Sequence, residues 1–365
     1  MKRVLCILSN MNAGGAETFL MKIYRQIDRD LYQMDFCINT KEKCFYENEI
    51  QSLGGKIYRI PAKSENLKEF KNQLFHIVAD NKYKYVLRVA SNGASLMDIK
   101  IAKKAGAEVC AVRSSNSSDG SSLKAKVAHY FGRWIYGKYA DVKFAPSDLA
   151  AMYTFGEKAF RKGDVSILHN AIDLKQYTYN ENERQKVRDE FGIKDDELLV
   201  GHIGRFMKQK NHEFLVDVFQ ELHRHNKKAK LFLVGDGELK ADIESKICLN
   251  ELEKYVFFLG TRSDVPQILC AIDVLLFPSL YEGMPNVVIE SQATGLPCVI
   301  SDTITKSANI TGLVDYVSLN ESITTWVEAI YNAASKGRVD TRDAFMKNKY
   351  DIQSTAEEFI RLVFR

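Results

Sequence analysis

The sequence predicts an α/β protein of two domains, each built on a parallel sheet. Three observations point there. Short apolar runs alternate with segments of helical periodicity along nearly the whole chain, the pattern of strands joined by crossover helices. A length of 365 residues suits two domains of ordinary size, each able to bury its own core. The alternation also restarts after a charged stretch, Glu181 to Glu197, that reads as a surface helix opening a second domain.

The first strand is expected at Val4 to Leu8. It runs into Ser9-Asn10-Met11-Asn12-Ala13-Gly14-Gly15-Ala16-Glu17, with a helix following through Phe19, Leu20, Ile23 and Tyr24. A glycine pair between a strand and a helix is a candidate phosphate cradle, because glycine lets backbone N–H groups approach an anion at a helix start. Neither the Gly-x-Gly-x-x-Gly pattern nor a Walker pattern occurs. Further strands are expected at Met34 to Ile38, Lys56 to Ile60, Tyr85 to Val89, Val109 to Val112, Val142 to Ala145 and Val165 to Leu168. Helices are expected at Leu67 to Asn81 and Met97 to Ala105. The last of these strands ends in His169-Asn170-Ala171-Ile172-Asp173, and a final helix is expected around Thr355 to Val363.

In the second half, Leu198 to Ile203 is a strand, followed by Gly204-Arg205-Phe206-Met207-Lys208-Gln209-Lys210-Asn211 and a helix through Phe214, Val218 and Leu222. Leu231 to Val234 ends in Gly235-Asp236-Gly237-Glu238, and Val256 to Leu259 ends in Gly260-Thr261-Arg262. The run Ile272 to Phe277 ends in Pro278-Ser279. Each strand thus ends in glycine or polar residues, which places loops at the carboxyl edge of the sheet, where open α/β folds bind ligands.

Composition narrows the class. Apolar content of 45% and charged content of 27% are globular values, which excludes a disordered chain. No run of eighteen apolar residues occurs, so no spanning helix is expected. The apolar part of Met1-Lys2-Arg3-Val4-Leu5-Cys6-Ile7-Leu8 is too short for a signal peptide. Seven cysteines without a Cys-x-x-Cys argue against a disulfide framework or zinc site, and Cys6, Cys110, Cys270 and Cys298 read as small core residues in a reducing, cytoplasmic compartment. A net charge of +4 suits phosphate ligands or an anionic membrane surface and does not argue for nucleic acid.

The chemistry concentrates in Phe277-Pro278-Ser279-Leu280-Tyr281-Glu282-Gly283-Met284-Pro285-Asn286-Val287-Val288-Ile289-Glu290. A strand stops, a tight loop follows, and a helix begins whose N-terminus favours an anion. Glu282 before that helix and Glu290 within it flank the anion position. Carboxylates suit sugar and ribose hydroxyls rather than the phosphate itself, so the combination suggests a nucleotide sugar. Arg205 and Lys210 supply cations just beyond another strand end, and a departing diphosphate needs its charge stabilised by fixed cations or by a metal ion. Metal-dependent sugar transfer usually shows a paired carboxylate of the Asp-x-Asp kind; the chain is read as having none, so Arg205 and Lys210 read as the metal's substitute and no cofactor is expected.

These segments resemble the retaining glycosyltransferases of the GT-B fold, specifically the large fourth family, of the polysaccharide-biosynthesis type. Four motifs stand in that family's order: Gly14-Gly15-Ala16-Glu17, Asn170-Ala171-Ile172-Asp173 (with alanine in place of glycine), Arg205-x4-Lys210 and Glu282-x7-Glu290. The resemblance implies two facing Rossmann-like domains with a deep interdomain cleft, an acceptor-side domain at 1–172, joined by the C-terminal helix 350–365 crossing back to it, and a nucleotide-sugar-binding domain at 173–349. It implies transfer of a sugar of the hexosyl type from a nucleotide sugar, such as a UDP-sugar, to a lipid-linked or oligosaccharide acceptor, for capsule, exopolysaccharide or glycolipid synthesis. Arg205 and Lys210 would clamp the diphosphate, Glu282 would hold the donor sugar and Glu290 the ribose. Backbone groups of Gly14, Gly15, Gly283, Met284, Pro285 and Asn286 would frame the donor, with the nucleobase near Arg262 to Val265.

One departure stands out. Many members carry a histidine after the strand matching Val109 to Val112, whereas this chain reads Arg113-Ser114-Ser115-Asn116-Ser117-Ser118-Asp119. Asn116 as a neutral donor and Asp119 as a base are candidates there; the alternative is a serine-rich loop without a role. Two other functions stay open on this account, a nucleotide-sugar epimerase of the same fold and a non-catalytic nucleotide-sugar-binding subunit. Separately, residues 123–143 interleave Lys124, Lys126, Arg133 and Lys138 with Val127, Tyr130, Phe131, Trp134 and Tyr139. Such an amphipathic helix either packs its aromatics into a core or lies peripherally on the inner face of an anionic membrane.

Overall fold

The computed structural model describes residues 1–12, 14–115, 123–282 and 284–365, the side chains of residues 124 and 125 excepted. The chain divides into two compact units, Met1–Ala171 together with Lys349–Arg365, and Ile172–Asn348.

The first unit is a seven-stranded sheet of β1 (Lys2–Ile7), β2 (Tyr32–Ile38), β3 (Ile57–Arg59), β4 (Tyr85–Ala90), β5 (Val109–Ser114), β6 (Val142–Ala145) and β7 (Ser166–Ile167). The order is β3-β2-β1-β4-β5-β6-β7, and every pairing is parallel. Alternation along β1 explains why both faces are covered. Val4 and Cys6 enter one core and Leu5 and Ile7 the other, as period-two geometry requires. On the first face the helices Gly15–Gln26 and Ile352–Val363 pack together, with the Phe359 ring edge-on to Phe19 at 6.5 Å and to Phe144 at 6.2 Å. On the other face lie Phe70, Leu74 and Val78 of the helix Leu67–Asp80, which Asn66 caps by accepting the Glu69 N–H.

The second unit has six strands: β8 (Leu199–Ile203), β9 (Lys230–Val234), β10 (Val256–Gly260), β11 (Val274–Phe277), β12 (Cys298–Ser301) and β13 (Val314–Val317). They run in the order β10-β9-β8-β11-β12-β13, again parallel. The strand order reverses beside β8, so the loops after β8 and β11 open at the sheet's switch point. Fully buried Trp326 anchors the covering helix Ile323–Lys336.

Two features differ from expectation, and a third is one the sequence leaves open. The surface helix stops at Glu190, because Gly192 turns the chain at a φ of +64°. β12 and β13 are strands beyond those expected. The helix Leu123–Tyr136 keeps much of its aromatic face outside the core. No helix of the described residues is long and apolar enough to cross a membrane.

Candidate functional site

At the switch point of the second unit, two segments far apart in sequence form one piece of structure. The short helical turn Lys208–Lys210 follows β8, and residues 278–285 follow β11. The Leu280 N–H donates to the Gln209 carbonyl at 2.8 Å, and the Gln209 side-chain amide donates to the Tyr281 carbonyl at 2.8 Å. Asn211 holds a left-handed conformation (φ +57°) and donates its side-chain amide to the Pro278 carbonyl at 3.1 Å. Asparagine tolerates that conformation better than most residues, which suits it to the turn entering the helix His212–His225.

Between these segments Lys210 Nζ donates to Glu282 Oε1 at 2.6 Å, and the pair is mostly enclosed. The ammonium also lies 4.6 Å from the centre of the Phe277 ring, a cation–π contact. The lysine stem passes over Gly204, where an added Cβ would lie 3.3 Å from Lys210 Cδ and Cε. Beneath it sit two buried imidazoles. His202 Nδ1 donates to the Leu276 carbonyl at 2.9 Å, which leaves the lone pair on Nε2, an atom without a hydrogen-bond partner among the described residues. His212 meets His202 edge-on and stacks on Phe206 at 4.2 Å. Burial holds both below the ordinary imidazole range, His212 at about 4. The Lys210 charge adds to the effect on both rings, and on His202 the neighbouring His212 weighs more than the lysine.

Glu282 and Lys210 are therefore brought together, and Arg205 is not. Its side chain is two-thirds exposed and reaches Glu238 at 3.5 Å. Met284 is half-buried, Pro285 buried and Asn286 exposed. The helix Asn286–Ala293 starts with no side-chain cap, which leaves its first backbone N–H groups without a capping acceptor from Pro285. Glu290, one turn in, receives a hydrogen bond from the Tyr177 hydroxyl, and this carboxylate together with burial pushes the phenol up. Arg262 is held by Asp264, through bonds of 2.8 and 2.7 Å, and by Glu190 at 3.4 Å. Gly283, Asn116 and Asp119 lie outside the described residues.

In the first unit, Gly14 precedes the helix that starts at Gly15, also without a side-chain cap. A Cβ on Gly14 would lie 2.4 Å from the Glu17 carboxylate, whereas the space at Gly15 is open. Arg113 is buried, with its guanidinium 4.0 Å over the Phe19 ring and 2.6 Å from Asn170 Oδ1. Burial pushes it down to about 9, and the Glu17 charge opposes that shift. Arg113, within β5 and just after Val112, is thus a buried cation.

Sequence reasoning missed Gln209, Asn211, Phe277 and Tyr177. Gln209 and Asn211 flank Lys210 and could have been read as turn formers; Tyr177 carries no local signal. One statement needs correction. The chain does contain an Asp-x-Asp, Asp28-Arg29-Asp30, but it lies in the turn before β2, at the amino edge of the sheet, where Asp28 accepts the Asp30 N–H. Among the described residues no group of three or more His, Cys, Asp or Glu is close enough to hold a metal ion.

Comparison with known proteins gives the family. Residues 197–336, which contain the Lys210–Glu282 pair, match the family described as glycosyl transferases group 1. EpsF of Bacillus subtilis, named as a glycosyltransferase, is 35% identical over 341 residues, covering 92% of this chain and 89% of that one. The Escherichia coli UDP-Gal:α-D-GlcNAc-diphosphoundecaprenol α-1,3-galactosyltransferase is 33% identical over 141 residues, 38% of this chain and 36% of that one. HepE of Anabaena, solved in complex with UDP, superposes with a TM-score of 0.76 at 17% identity, covering 99% of each chain. The two parallel-sheet units, the match across the second of them and the near full-length likeness to EpsF place the chain among the group 1 glycosyl transferases, enzymes of the GT-B fold.

Proposed function

We propose that the protein transfers a sugar, with retention of configuration and without a metal ion, from a UDP-sugar to a lipid-linked or saccharide acceptor. The work belongs to the assembly of a cell-surface polysaccharide or glycolipid, in the cytoplasm at the inner face of the membrane. The observation that carries this reading is the convergence of Lys210, Glu282 and the uncapped start of the helix Asn286–Ala293 at the switch point. The donor class is supported by HepE, solved with UDP, and by the E. coli relative, whose name specifies UDP-Gal and a diphosphoundecaprenol-linked acceptor.

In this mechanism the diphosphate competes with Glu282 for the Lys210 ammonium. As the bond from the anomeric carbon to the phosphate oxygen breaks, negative charge grows on the phosphate, and the ammonium and the helix start stabilise it. Glu282, relieved of the lysine, accepts hydrogen bonds from the donor-sugar hydroxyls, and Glu290 accepts from the ribose. Arg205 is exposed and loosely held by Glu238, which leaves it able to turn toward the outer phosphate. The acceptor oxygen bonds to the anomeric carbon on the face the phosphate leaves, and the acceptor proton passes to the departing phosphate oxygen.

A thermal-shift panel of UDP, GDP, ADP and their sugars, with and without EDTA, tests the donor site. A specific binder stabilises the native state by about 2.7 kcal/mol at a hundredfold excess over its dissociation constant. A shift with uridine nucleotides that EDTA leaves unchanged is expected. A shift abolished by EDTA overturns metal independence, and a preference for GDP or ADP overturns the UDP assignment. Donor turnover with an acceptor panel, with the anomeric configuration of the product read by NMR, tests transfer and retention.

A further inference from the structure

The helix Leu123–Tyr136 of the first unit carries an apolar surface that none of the donor chemistry uses. Leu123, Val127, Tyr130, Phe131 and Trp134 are exposed, from 58% for Tyr130 to 79% for Trp134. At 3.6 residues per turn they fall within a stripe about 100° wide on one side of the helix. Scattered exposed apolar residues need no explanation, but five aligned on one helix form a contiguous patch of the kind that marks a binding surface.

The other side of the helix is fixed. A Cβ on Gly132 would lie 2.6 Å from backbone atoms of Gly93 and Ala94, and one on Gly93 would lie 2.1 Å from the His129 carbonyl. The two backbones are therefore in direct contact. His129 is buried there, with its Nδ1 accepting the Gly93 N–H at 2.9 Å and its other ring nitrogen 3.0 Å from the Tyr153 carbonyl. Because these contacts seat the helix, its apolar stripe is presented outward as a fixed surface and is not available to fold into the core.

Charge identifies the occupant. Between residues 123 and 140 the sequence has four lysines and arginines and no aspartate or glutamate. Lys126 and Lys138 are exposed, and Lys100 lies 5.7 and 5.9 Å from the Tyr136 and Tyr139 rings on the continuation of the same segment. Against a second copy of the same helix these cations would repel. Against an anionic bilayer they attract, while tryptophan, tyrosine and phenylalanine insert at headgroup depth. Fourteen residues give about 21 Å of helix, long enough to lie in the interface and too short to span it. We infer that the helix Leu123–Tyr136 is a membrane-docking surface that seats its Leu123–Trp134 stripe in an anionic lipid interface. The inference stands apart from the donor-site reading, since it concerns lipid headgroups and acyl chains and no sugar chemistry.

The test uses the protein's own reporter. Only two tryptophans are present, and Trp326 is fully buried, so a change of emission on adding lipid reports Trp134. The full-length protein is mixed with vesicles of phosphatidylglycerol and phosphatidylcholine in equal parts, or of phosphatidylcholine alone, without nucleotide or acceptor. The expected results are a blue shift and co-sedimentation with the anionic vesicles, weakened by added salt. The double variant Phe131→Ser/Trp134→Ser changes exposed side chains only and should keep its circular dichroism while its vesicle partitioning falls about tenfold or more. Lys126→Glu/Lys138→Glu should lower partitioning to anionic vesicles and leave the weak binding to phosphatidylcholine unchanged. Unshifted Trp134 emission, with the protein left in the supernatant, overturns the inference. So does a concentration-dependent dimer that the Phe131→Ser/Trp134→Ser variant abolishes, because a second copy would then cover the stripe. Equal, salt-insensitive binding to both vesicle types would overturn the anionic assignment.

Discussion

The Lys210 ammonium lies 2.6 Å from the Glu282 carboxylate, although 72 residues separate them in the chain. The cation proposed to hold the diphosphate and the anion proposed to hold the sugar therefore satisfy one another, and either left alone would be a charge held in a mostly enclosed place. Lys210→Ala and Glu282→Ala should each reduce transfer by about a hundredfold or more, the scale seen when a group stabilising a transition state is lost. Each single change also strands a charge, so it should destabilise by about 1–3 kcal/mol, while Lys210→Ala/Glu282→Ala should lose less than the sum of the singles. Urea melts of the four proteins check this. Additive losses would mean that the pair is not coupled.

Asn211 links the same two segments from the backbone side. Asn211→Gly keeps the left-handed conformation and loses only the bond to Pro278, so it should cost about 1 kcal/mol or less and mainly raise KM for the donor. Asn211→Leu adds strain at a φ of +57° and should also lower kcat by misplacing Lys210. Identical kinetics for the two variants would remove the argument for backbone geometry.

The sheets and the loop that carries Glu282 were legible because their signals are local. Val274 to Phe277 is a continuous apolar run, and the loop after it is punctuated by proline at 278 and 285. The partnership of Lys210 with Glu282 was not legible. It depends on β8 and β11 lying side by side, and periodicity does not encode which strands become neighbours. Arg205 shows the converse: its spacing from Lys210 suggested a joint clamp, but an exposed arginine takes the nearest carboxylate, Glu238. The helix Leu123–Tyr136 gave a correct amphipathic pattern that could not say which face was inside. Gly132 and Gly93 decide that, through a backbone contact between segments about forty residues apart.

His212 makes the second unit sensitive to acid. In the folded protein its imidazole sits at about 4, against about 6.5 when exposed in the unfolded chain, and His202 is depressed as well. Between those values the unfolded chain binds protons that the folded one does not, so stability is fully present above about pH 6.5 and is lost as pH falls toward 4. The slope is at most about 1.4 kcal/mol per pH unit for each histidine. His212→Phe keeps an aromatic ring against Phe206 and should flatten the profile across this window. Denaturant melts at several pH values check it; parallel profiles for wild type and variant would show that His212 is not a source of the acid sensitivity.

Gly132 sets the seat of the exposed helix. With a Cβ there 2.6 Å from the Ala94 Cα and amide nitrogen, Gly132→Ala meets backbone that no side-chain rotation can move aside. The helix must lift from residues 93–96, which strains the His129 bond to the Gly93 N–H. Overpacking of this kind costs about 1–3 kcal/mol, and with backbone on the other side of the contact the upper part of that range is expected, more than the gain of about 1 kcal/mol from replacing glycine by alanine within a helix. The variant should melt earlier and show a lowered steady-state anisotropy of Trp134, because its helix is no longer clamped. Nucleotide binding should be unchanged, since Lys210, Glu282 and Glu290, the side chains proposed to bind the donor, belong to the other unit. A stabilised Gly132→Ala, with Trp134 anisotropy as in wild type, would show that the contact with residues 93–94 gives way easily and does not hold the helix.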